Sequence, residues 1–350
     1  MVAMSGGVDS SVAAALTASQ RGADSCIGVA MRLYSMPDDE VRTGRTCCAP
    51  DDLYDARRAA AVLGIRFYVY DAQERFREQV IEPFVQSYAA GETPNPCVRC
   101  NDHVKFDWLL DRARKLGATE LITGHYARVA FENGSYRLLR AKDPSKDQSY
   151  FLHGLSQEEL SMVRFPLGDL TKVEVRALAR ERQLPNADKS ESMEVCFVGD
   201  TRLADFLESH GVSQARGELV DMEGRVLGEH QGVHRFTVGQ RKGLGQGFKL
   251  PMYVASIDAE RQRVTIGTRD EAQRGEFSAL EASWVSEPPQ PGSTCEVQVR
   301  HRGKPLPARV ETHGDKVQVT LLEPAIGVAP GQSAVFYRGD EVLGGARISS

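Results

Sequence analysis

An α/β domain built on a parallel sheet, followed by smaller β-rich modules, is the architecture the sequence predicts. Three observations point to it. Short apolar runs alternate with amphipathic helical stretches through the first third of the chain, the rhythm of βαβ units. A glycine turn, Ser5-Gly6-Gly7, stands between the first apolar run and the first helix. From Gly217 onward the pattern turns to short strands and tight turns, which reads as a small closed β structure.

Taken in order, residues 1–4 form a short apolar strand and residues 10–20 a helix stopped by Gly22. A strand at 25–31 is followed by a helix over 51–63 that ends at Gly64, then by a β-branched and aromatic strand over 66–70. The spacing predicts a longer helix over 73–90, kinked at Pro83, and another over 106–116 closed by Gly117. A strand over 120–123 runs into Gly124-His125. Residues 126–140 read as a hairpin turning at Asn133-Gly134. Helical pattern returns over 155–184, interrupted by Pro166 and Gly168. In the β-rich part, turns fall at Glu223-Gly224, 258–260, Gly303, His313-Gly314 and 338–340, and the Pro-rich stretch 287–292 marks a domain boundary.

Composition narrows the function classes. A chain of 350 residues with 41% apolar and 26% charged residues is globular and long enough for two domains and a small third. Lysine and arginine number 43 against 48 acidic residues, a net charge of −5, so any grip on nucleic acid must be local. No apolar run approaches the ~18–20 residues of a membrane span. The start, MVAMSGGVDSS, has neither the basic region nor the apolar core of a signal peptide. The expectation is a cytoplasmic protein without membrane contact. Its 7 cysteines, an odd number in a reducing compartment, then point to reactive or metal-bound thiols rather than a disulfide scaffold.

The most specific local signal is Ser5-Gly6-Gly7-Val8-Asp9-Ser10-Ser11. Glycines let the backbone turn tightly and aim its N–H groups outward. The positive end of the following helix suits a polyphosphate. Ser5, Ser10 and Ser11 add hydroxyls. Asp9 would repel bare phosphate, so its expected role is to hold Mg²⁺ against the phosphates. An ordinary Ser-capped turn is the alternative. No Gly-Lys-Ser/Thr follows, so this is not a Walker loop. It resembles the SGGxDS loop of the ATP pyrophosphatases, which split ATP between its α and β phosphates.

Cysteines supply the second signal. Cys97 and Cys100 form Cys-x-x-Cys within TPNPCVRCN, and Cys196 sits in the stretch 190–197, an apolar strand-like end after a polar loop. Arg99, Lys105 and a helix N-terminus near Asp102 would favour a thiolate, the nucleophile of sulfur chemistry. Tetrahedral zinc needs four ligands, and no second pair of that type exists. A thiol pair is favoured, with an iron–sulfur cluster on Cys97, Cys100 and Cys196 as a further option. Cys26 reads as core, Cys47 and Cys48 as structural, Cys295 as inert.

With both motifs in one chain, the sequence resembles the tRNA-specific 2-thiouridylase family. Further matching stretches are Thr123-Gly124-His125-Tyr126, Lys146-Asp147-Gln148-Ser149-Tyr150-Phe151, Phe165-Pro166-Leu167-Gly168, Val195-Cys196-Phe197-Val198-Gly199, 236–243 and 330–335. The resemblance implies an adenine-nucleotide α-hydrolase-like (Rossmann-like) catalytic domain over 1–205, with assignment of the 155–185 helical segment to the central domain as the alternative. It implies a central tRNA-binding domain over 206–285 and a C-terminal β-barrel over 286–350. It implies an ATP- and Mg²⁺-dependent sulfurtransferase that acts on the wobble uridine of tRNA. A persulfide carrier or sulfide would be the donor, and the free protein is expected to be a monomer. Cys196 would carry a persulfide, Cys100 would be the nucleophile, and a transient disulfide would join them. Many relatives have Asp at the position of Cys97, so the acid/base is left unassigned between Asp102 and His125. A 4Fe-4S cluster is the alternative use of the three cysteines.

The same resemblance implies ATP contacts at Ala3, Met4, Ser5, Gly6, Gly7, Val8, Asp9, Ser10, Met31 and Gly124. Asn95, Pro96 and Cys97 would cradle the target base. His125, Lys146, Asp147, Gln148 and Gln332 would touch tRNA. From the residues alone, two basic clusters are candidate RNA grips. Residues 231–250 carry Arg235, Arg241, Lys242 and Lys249 without a carboxylate, and Arg300, His301, Arg302 and Lys304 lie in the β-rich tail. Two rivals stay open: an amide-forming ATP pyrophosphatase, which needs no cysteine, and a non-catalytic RNA- or iron–sulfur-binding protein.

Overall fold

The computed structural model describes residues 1–34, 50–190, 195–199, 201–245 and 247–349. Cys47, Cys48 and the loop residues 191–194 lie outside them. Two compact units are present, one of residues 1–80, 97–200 and 340–342, the other of 81–96, 201–339 and 343–350.

The first unit is an α/β sandwich. Strands β1 (Val2–Ala3), β2 (Ile27–Arg32), β3 (Arg66–Asp71) and β4 (Leu121–Ile122) are all parallel. A hairpin of β5 (Arg128–Glu132) and β6 (Ser135–Leu139) turns at Asn133 and Gly134, both with positive φ, as the Asn-Gly signal predicts. Val163–Arg164, expected to be helical, is instead a short strand β7 that pairs parallel with β4. Two β-branched or long side chains before Pro166 fit an extended segment better than a helix. The sheet order is β3-β2-β1-β4-β7, so the strand order reverses at β1. Ligands bind parallel α/β sheets at that point, beyond the carboxyl ends of the strands.

Helix Val8–Arg21 leaves β1 through the glycine turn and ends at Gly22, whose N–H bonds to Ala18 O at 2.9 Å. Its inner face, Val12, Ala13 and Ala15, joins Val175, Ala179 and Leu184 of the helix Lys172–Glu181 region in one buried cluster. The predicted 73–90 helix is present but contains a π-helical turn, Arg77–Ile81, just before Pro83. Proline lacks an N–H, and the missing bond is absorbed by the wider turn.

The helix expected to start near Asp102 instead starts at Pro96 and runs through Pro96–Cys100 and a π segment Asn101–Leu109 to Leu110–Lys115. Proline at the first helical position costs nothing there, because its N–H would be unused anyway. Cys97 and Cys100 are therefore helical, three residues apart on one side.

The second unit is β-rich. Strands β8 (Gly217–Val220), β9 (Val226–His230), β10 (Tyr253–Asp258) and β11 (Arg263–Gly267) form a four-stranded sheet in the order β10-β11-β8-β9. Strands β12 (Arg274–Trp284), β13 (Thr294–Gln298), β14 (Leu306–His313), β15 (Lys316–Ala325), β16 (Ser333–Arg338) and β17 (Glu341–Ile348) follow. They run β12-β15-β14-β13-β16-β17, and β12 also pairs with β17, which closes the barrel. Alternate residues such as Val297, Val310, Val319, Phe336 and Leu343 fill its core. The Pro-rich stretch 287–292 joins β12 to β13, so it is a loop inside the barrel rather than a boundary. Proline and glycine mark chain reversal as readily as a linker.

Candidate active site

The glycine turn lies at the carboxyl end of β1. Gly6 has φ +78°, and a Cβ there would stand 2.1 Å from Asp52 O, so only glycine fits. Ser10 Oγ accepts from Ser5 N at 3.1 Å and donates to Gly7 O at 3.1 Å, closing the loop. Gly7 caps helix Val8–Arg21 with no capping side chain, which leaves that role open to an anion. Met4 and Val8 are buried in the core, so of the expected phosphate-contacting residues these two can offer only backbone. Gly124 packs on the backbone of Asp9 and Ser10, where a Cβ would approach to 2.7 Å. Met31 sits near the end of β2, paired with Tyr70 of β3.

Sequence reasoning missed the residues that brace this loop. Asn186, 3% exposed, donates through Nδ2 to Gly6 O at 2.8 Å and to Ser11 Oγ at 2.9 Å. Lys189 Nζ lies 2.5 Å from Asp52 and 2.6 Å from Asp55, and 3.4 Å from Gly6 O. Burial opposes its charge, but the hydrogen bonds it donates to Asp52 and Asp55 outweigh that and push its pKa up.

Lys172 Nζ meets Asp9 Oδ1 at 2.6 Å and Oδ2 at 2.8 Å, and the Tyr126 hydroxyl donates to Asp9 Oδ1 at 2.9 Å. Both oxygens of the expected Mg²⁺ ligand are thus engaged, and the Lys172 side chain is 11% exposed. Lys172 is also the first residue of its helix, after the capping box Thr171/Glu174. A lysine at a helix N-terminus opposes the macrodipole, and that oddity was the available sequence signal. Two helix N-termini and an ammonium therefore serve one small region. Such an arrangement is chemically suited to a pyrophosphate.

The thiols differ sharply. Cys97 is exposed, Cys100 is buried and Cys196 is half-buried. Cys196 lies in a turn closed by Val198 N to Val195 O at 3.0 Å rather than at a strand end. Both cysteine segments are fastened to one helical stretch. Phe197 packs edge-on against Phe76 at 5.7 Å between centroids. Arg99 Nε donates to Gln79 O at 2.8 Å, and Arg75 reaches Asp107 at 2.7 Å and His103 O at 3.2 Å. Among the described residues, no group of three or more His, Cys, Asp or Glu side chains could hold a metal ion. Cys97, Cys100 and Cys196 as placed thus do not make a cluster ligand set.

Burial pushes Cys295 up to about 11 and also raises Cys26, in keeping with inert core thiols. Of the two acid/base candidates, His125 is kept neutral by burial and by Lys105, and its Nδ1 is bonded to Thr123 Oγ1 at 2.7 Å. Asp102 is pushed up to about 7, first by desolvation and then by Glu159, with Arg99 opposing. It can hold a proton at neutral pH.

Several expected RNA contacts also make hydrogen bonds within the protein. Asp147 accepts from Ala141 N at 3.0 Å, Ser149 Oγ at 2.8 Å and Arg140 at 3.1 Å. Gln148 Oε1 accepts from Tyr126 N at 2.9 Å, which ties its loop to the tyrosine on Asp9. Lys146 is half-exposed on that loop. In the other unit, Glu208 accepts from His234 at 3.0 Å and from Arg235; His234 is buried, and the half-buried Arg235 has its charge paired. Arg241 and Lys242 are exposed, as are Arg300 and Arg302, and His301 is half-exposed. The two clusters lie close together. Gly239 stacks on Gly327, and a Cβ on Gly327 would stand 3.1 Å from Arg300 Nη1.

Replacing Lys172 by Met removes the ammonium at the loop. It should raise the KM for ATP by about tenfold to a hundredfold, the ~1.5–3 kcal/mol of a hydrogen bond to a charged group, read by pyrophosphate release. Asp102 keeps its proton in the folded chain up to about pH 7, whereas the ordinary value is 3.8. Its cost to stability therefore grows as pH rises from about 4 to 7 and is absent below that range. Asp102→Asn should raise the melting temperature at pH 8 and leave it nearly unchanged at pH 4; thermal melts at both pH values check this.

Comparison with known proteins places these features. Residues 1–200 match the tRNA methyl transferase HUP domain, 204–268 the tRNA methyl transferase PRC-barrel domain and 274–348 the aminomethyltransferase beta-barrel domain. A tRNA-specific 2-thiouridylase MnmA of Geobacter metallireducens is 47% identical over 100% of this chain and 96% of its own length. Those of Acidothermus cellulolyticus and Chloroflexus aurantiacus are each 48% identical over 100% of this chain, and over 97% and 98% of their own. Together with the braced glycine loop and the cysteine-bearing helix, this full-length similarity means that the chain belongs to the tRNA-specific 2-thiouridylase (MnmA) family.

Proposed function

We propose that the protein is an ATP-dependent tRNA sulfurtransferase that converts the wobble uridine to 2-thiouridine. The observation that carries this reading is the glycine loop with Lys172 at its mouth, in the same compact unit as Cys100 and Cys196. Residues 1–205 carry the chemistry and the β-rich modules after them carry the RNA.

Uracil O2 is a poor leaving group. In the first step O2 attacks the α-phosphorus of MgATP, and pyrophosphate departs from the loop braced by Asn186 and Lys172. In the second, the terminal sulfur of a Cys196 persulfide attacks C2 and AMP leaves with the former O2. Cys100 thiolate then attacks Sγ of Cys196, which frees 2-thiouridine and leaves a Cys100–Cys196 disulfide. A thiol reductant then restores both cysteines and a persulfide carrier transfers its terminal sulfur to the Cys196 thiolate; alternatively sulfide attacks Sγ of Cys196 in the disulfide, which gives the Cys196 persulfide and the Cys100 thiol. Cys100 is three residues from exposed Cys97, and Asp102, with a carboxyl that keeps a proton near neutrality, is suited to donate a proton to the departing oxygen.

Asn95, Pro96 and Cys97 are assigned to the target base, and His125, Lys146 and Gln148 to nearby tRNA. Arg241, Lys242, Arg300 and His301 supply a continuous basic face for the tRNA backbone, supported by the Gly239–Gly327–Arg300 contact.

The direct test is nucleoside mass spectrometry after incubating protein, ATP, Mg²⁺, sulfide and unmodified tRNA. Wild type should make 2-thiouridine, whereas Cys100→Ser and Cys196→Ser should each lower it at least a thousandfold and keep ATP binding. Full turnover by the double variant would instead favour the cysteine-free amide-ligase chemistry. Reversing Arg241 and Lys242 to Glu should weaken tRNA binding about tenfold or more in low salt and reduce the slope of log Kd against log salt by roughly 2, since each lost phosphate contact removes about one unit. Filter binding across a salt series reads both.

A further inference from the structure

The segment assigned to the target base is held by the barrel. Thr93 N–H donates to Pro330 O at 2.8 Å, and Gln332 Nε2 donates to Thr93 O at 2.7 Å. Both backbone groups of Thr93 are thus taken by one loop, residues 329–332, which leads into β16. That loop is itself fixed to the last strand, because Gly331 N donates to Ile348 O at 2.9 Å and Ile348 N to Gln332 O at 2.8 Å. Beside Thr93, Glu92 pairs with Arg347 of β17 at 3.4 Å. Gly331 has φ +90°, and a Cβ on it would stand 3.0 Å from both Thr93 N and Thr93 C. Gly91 lies against Ile257 of β10, where a Cβ would come to 2.9 Å.

Such fastening is unusual for a surface segment. The residues that follow are Pro94-Asn95-Pro96, and two prolines fix φ at two of three positions. Little slack remains between the anchor at Thr93 and the side chain of Asn95. A displacement at Thr93 is therefore passed to Asn95 and Pro96 rather than absorbed. The Gln332 amide nitrogen is spent on Thr93.

We propose that Gln332 and Gly331 are positioning residues: the barrel loop sets the placement of Asn95 and Pro96 against the uridine to be modified. This inference rests on the thiolation reading above and extends it, since it makes the C-terminal barrel part of the base-holding apparatus. A polar side chain that merely met tRNA would act on affinity. A residue that places the base cradle acts on the chemical step once ATP and tRNA are bound.

The test compares Gln332→Met, which keeps the length and loses the donor, Gly331→Ala, which introduces the excluded Cβ, and Gln332→Lys, which restores a donor. Three quantities are read on the full-length protein: tRNA Kd by filter binding, KM for ATP, and the single-turnover rate of thiolation with both saturating. The expected result is a Kd and a KM within twofold of wild type and a rate at least tenfold lower for Gln332→Met and Gly331→Ala, with most of the loss recovered in Gln332→Lys. Should Gly331→Ala fail to fold, Gln332→Met decides. A wild-type rate in Gln332→Met overturns the inference, and so does a loss confined to tRNA Kd, which would make Gln332 a tRNA contact. Wild-type protein that makes no thiouridine would sink the underlying reading instead, and that control is visible in the same experiment.

Discussion

A lysine ammonium pressed against the carboxylate of the glycine loop is the constraint on which the remaining chemistry depends. Lys172 is held by Asp9 and lies near the Tyr126 ring, and it stands where a helix N-terminus already disfavours a cation. A side chain kept in that position against its own helix dipole needs a negative partner. Asp9 provides one, and a polyphosphate would provide a stronger one. Asn186 and Lys189 hold Gly6 from the opposite side, so the loop is braced by residues far from it in sequence. The glycine turn becomes a rigid receptor because the chain returns to it twice.

That bracing also relates the nucleotide to sulfur. Asn186 and Lys189 precede Cys196 by ten and seven positions, so one connection carries both the loop braces and the thiol proposed to hold sulfur. The helix Gln73–Phe76 and its π extension then serve as a common anchor, with Phe197 on Phe76 and Arg99 on Gln79. In the proposed reaction, activation and sulfur delivery thus share a scaffold inside one compact unit. The basic residues proposed to meet RNA lie in the other unit, a local grip in a protein whose overall charge is negative.

Much of this was legible in the sequence because local physics dictated it. The parallel sheet followed from alternating patterns, the hairpin from Asn133-Gly134, and the family from two motifs. What escaped was set by long-range contacts. Lys172, Asn186 and Lys189 act on a loop more than 160 residues away, and no local pattern says so. The sequence predicts a helix start near Asp102, yet Pro96 already begins the helix, so both cysteines lie within it. Val163–Arg164 was read as helix, but tertiary pairing with β4 overrode it. Arg235, one of the basic residues of 231–250, is paired with Glu208 from an earlier helix. Asp147 and Gln148, expected to face RNA, fold their own loop.

The most direct measurement follows the oxygen. Unmodified tRNA carrying ¹⁸O at C2 of the wobble uridine is incubated with the protein, ATP, Mg²⁺ and sulfide, and the AMP is examined by mass spectrometry. If O2 is carried away on the α-phosphorus, one ¹⁸O appears in AMP for each 2-thiouridine formed. Thiouridine formed with unlabelled AMP, or with ADP and phosphate as the nucleotide products, would contradict the account.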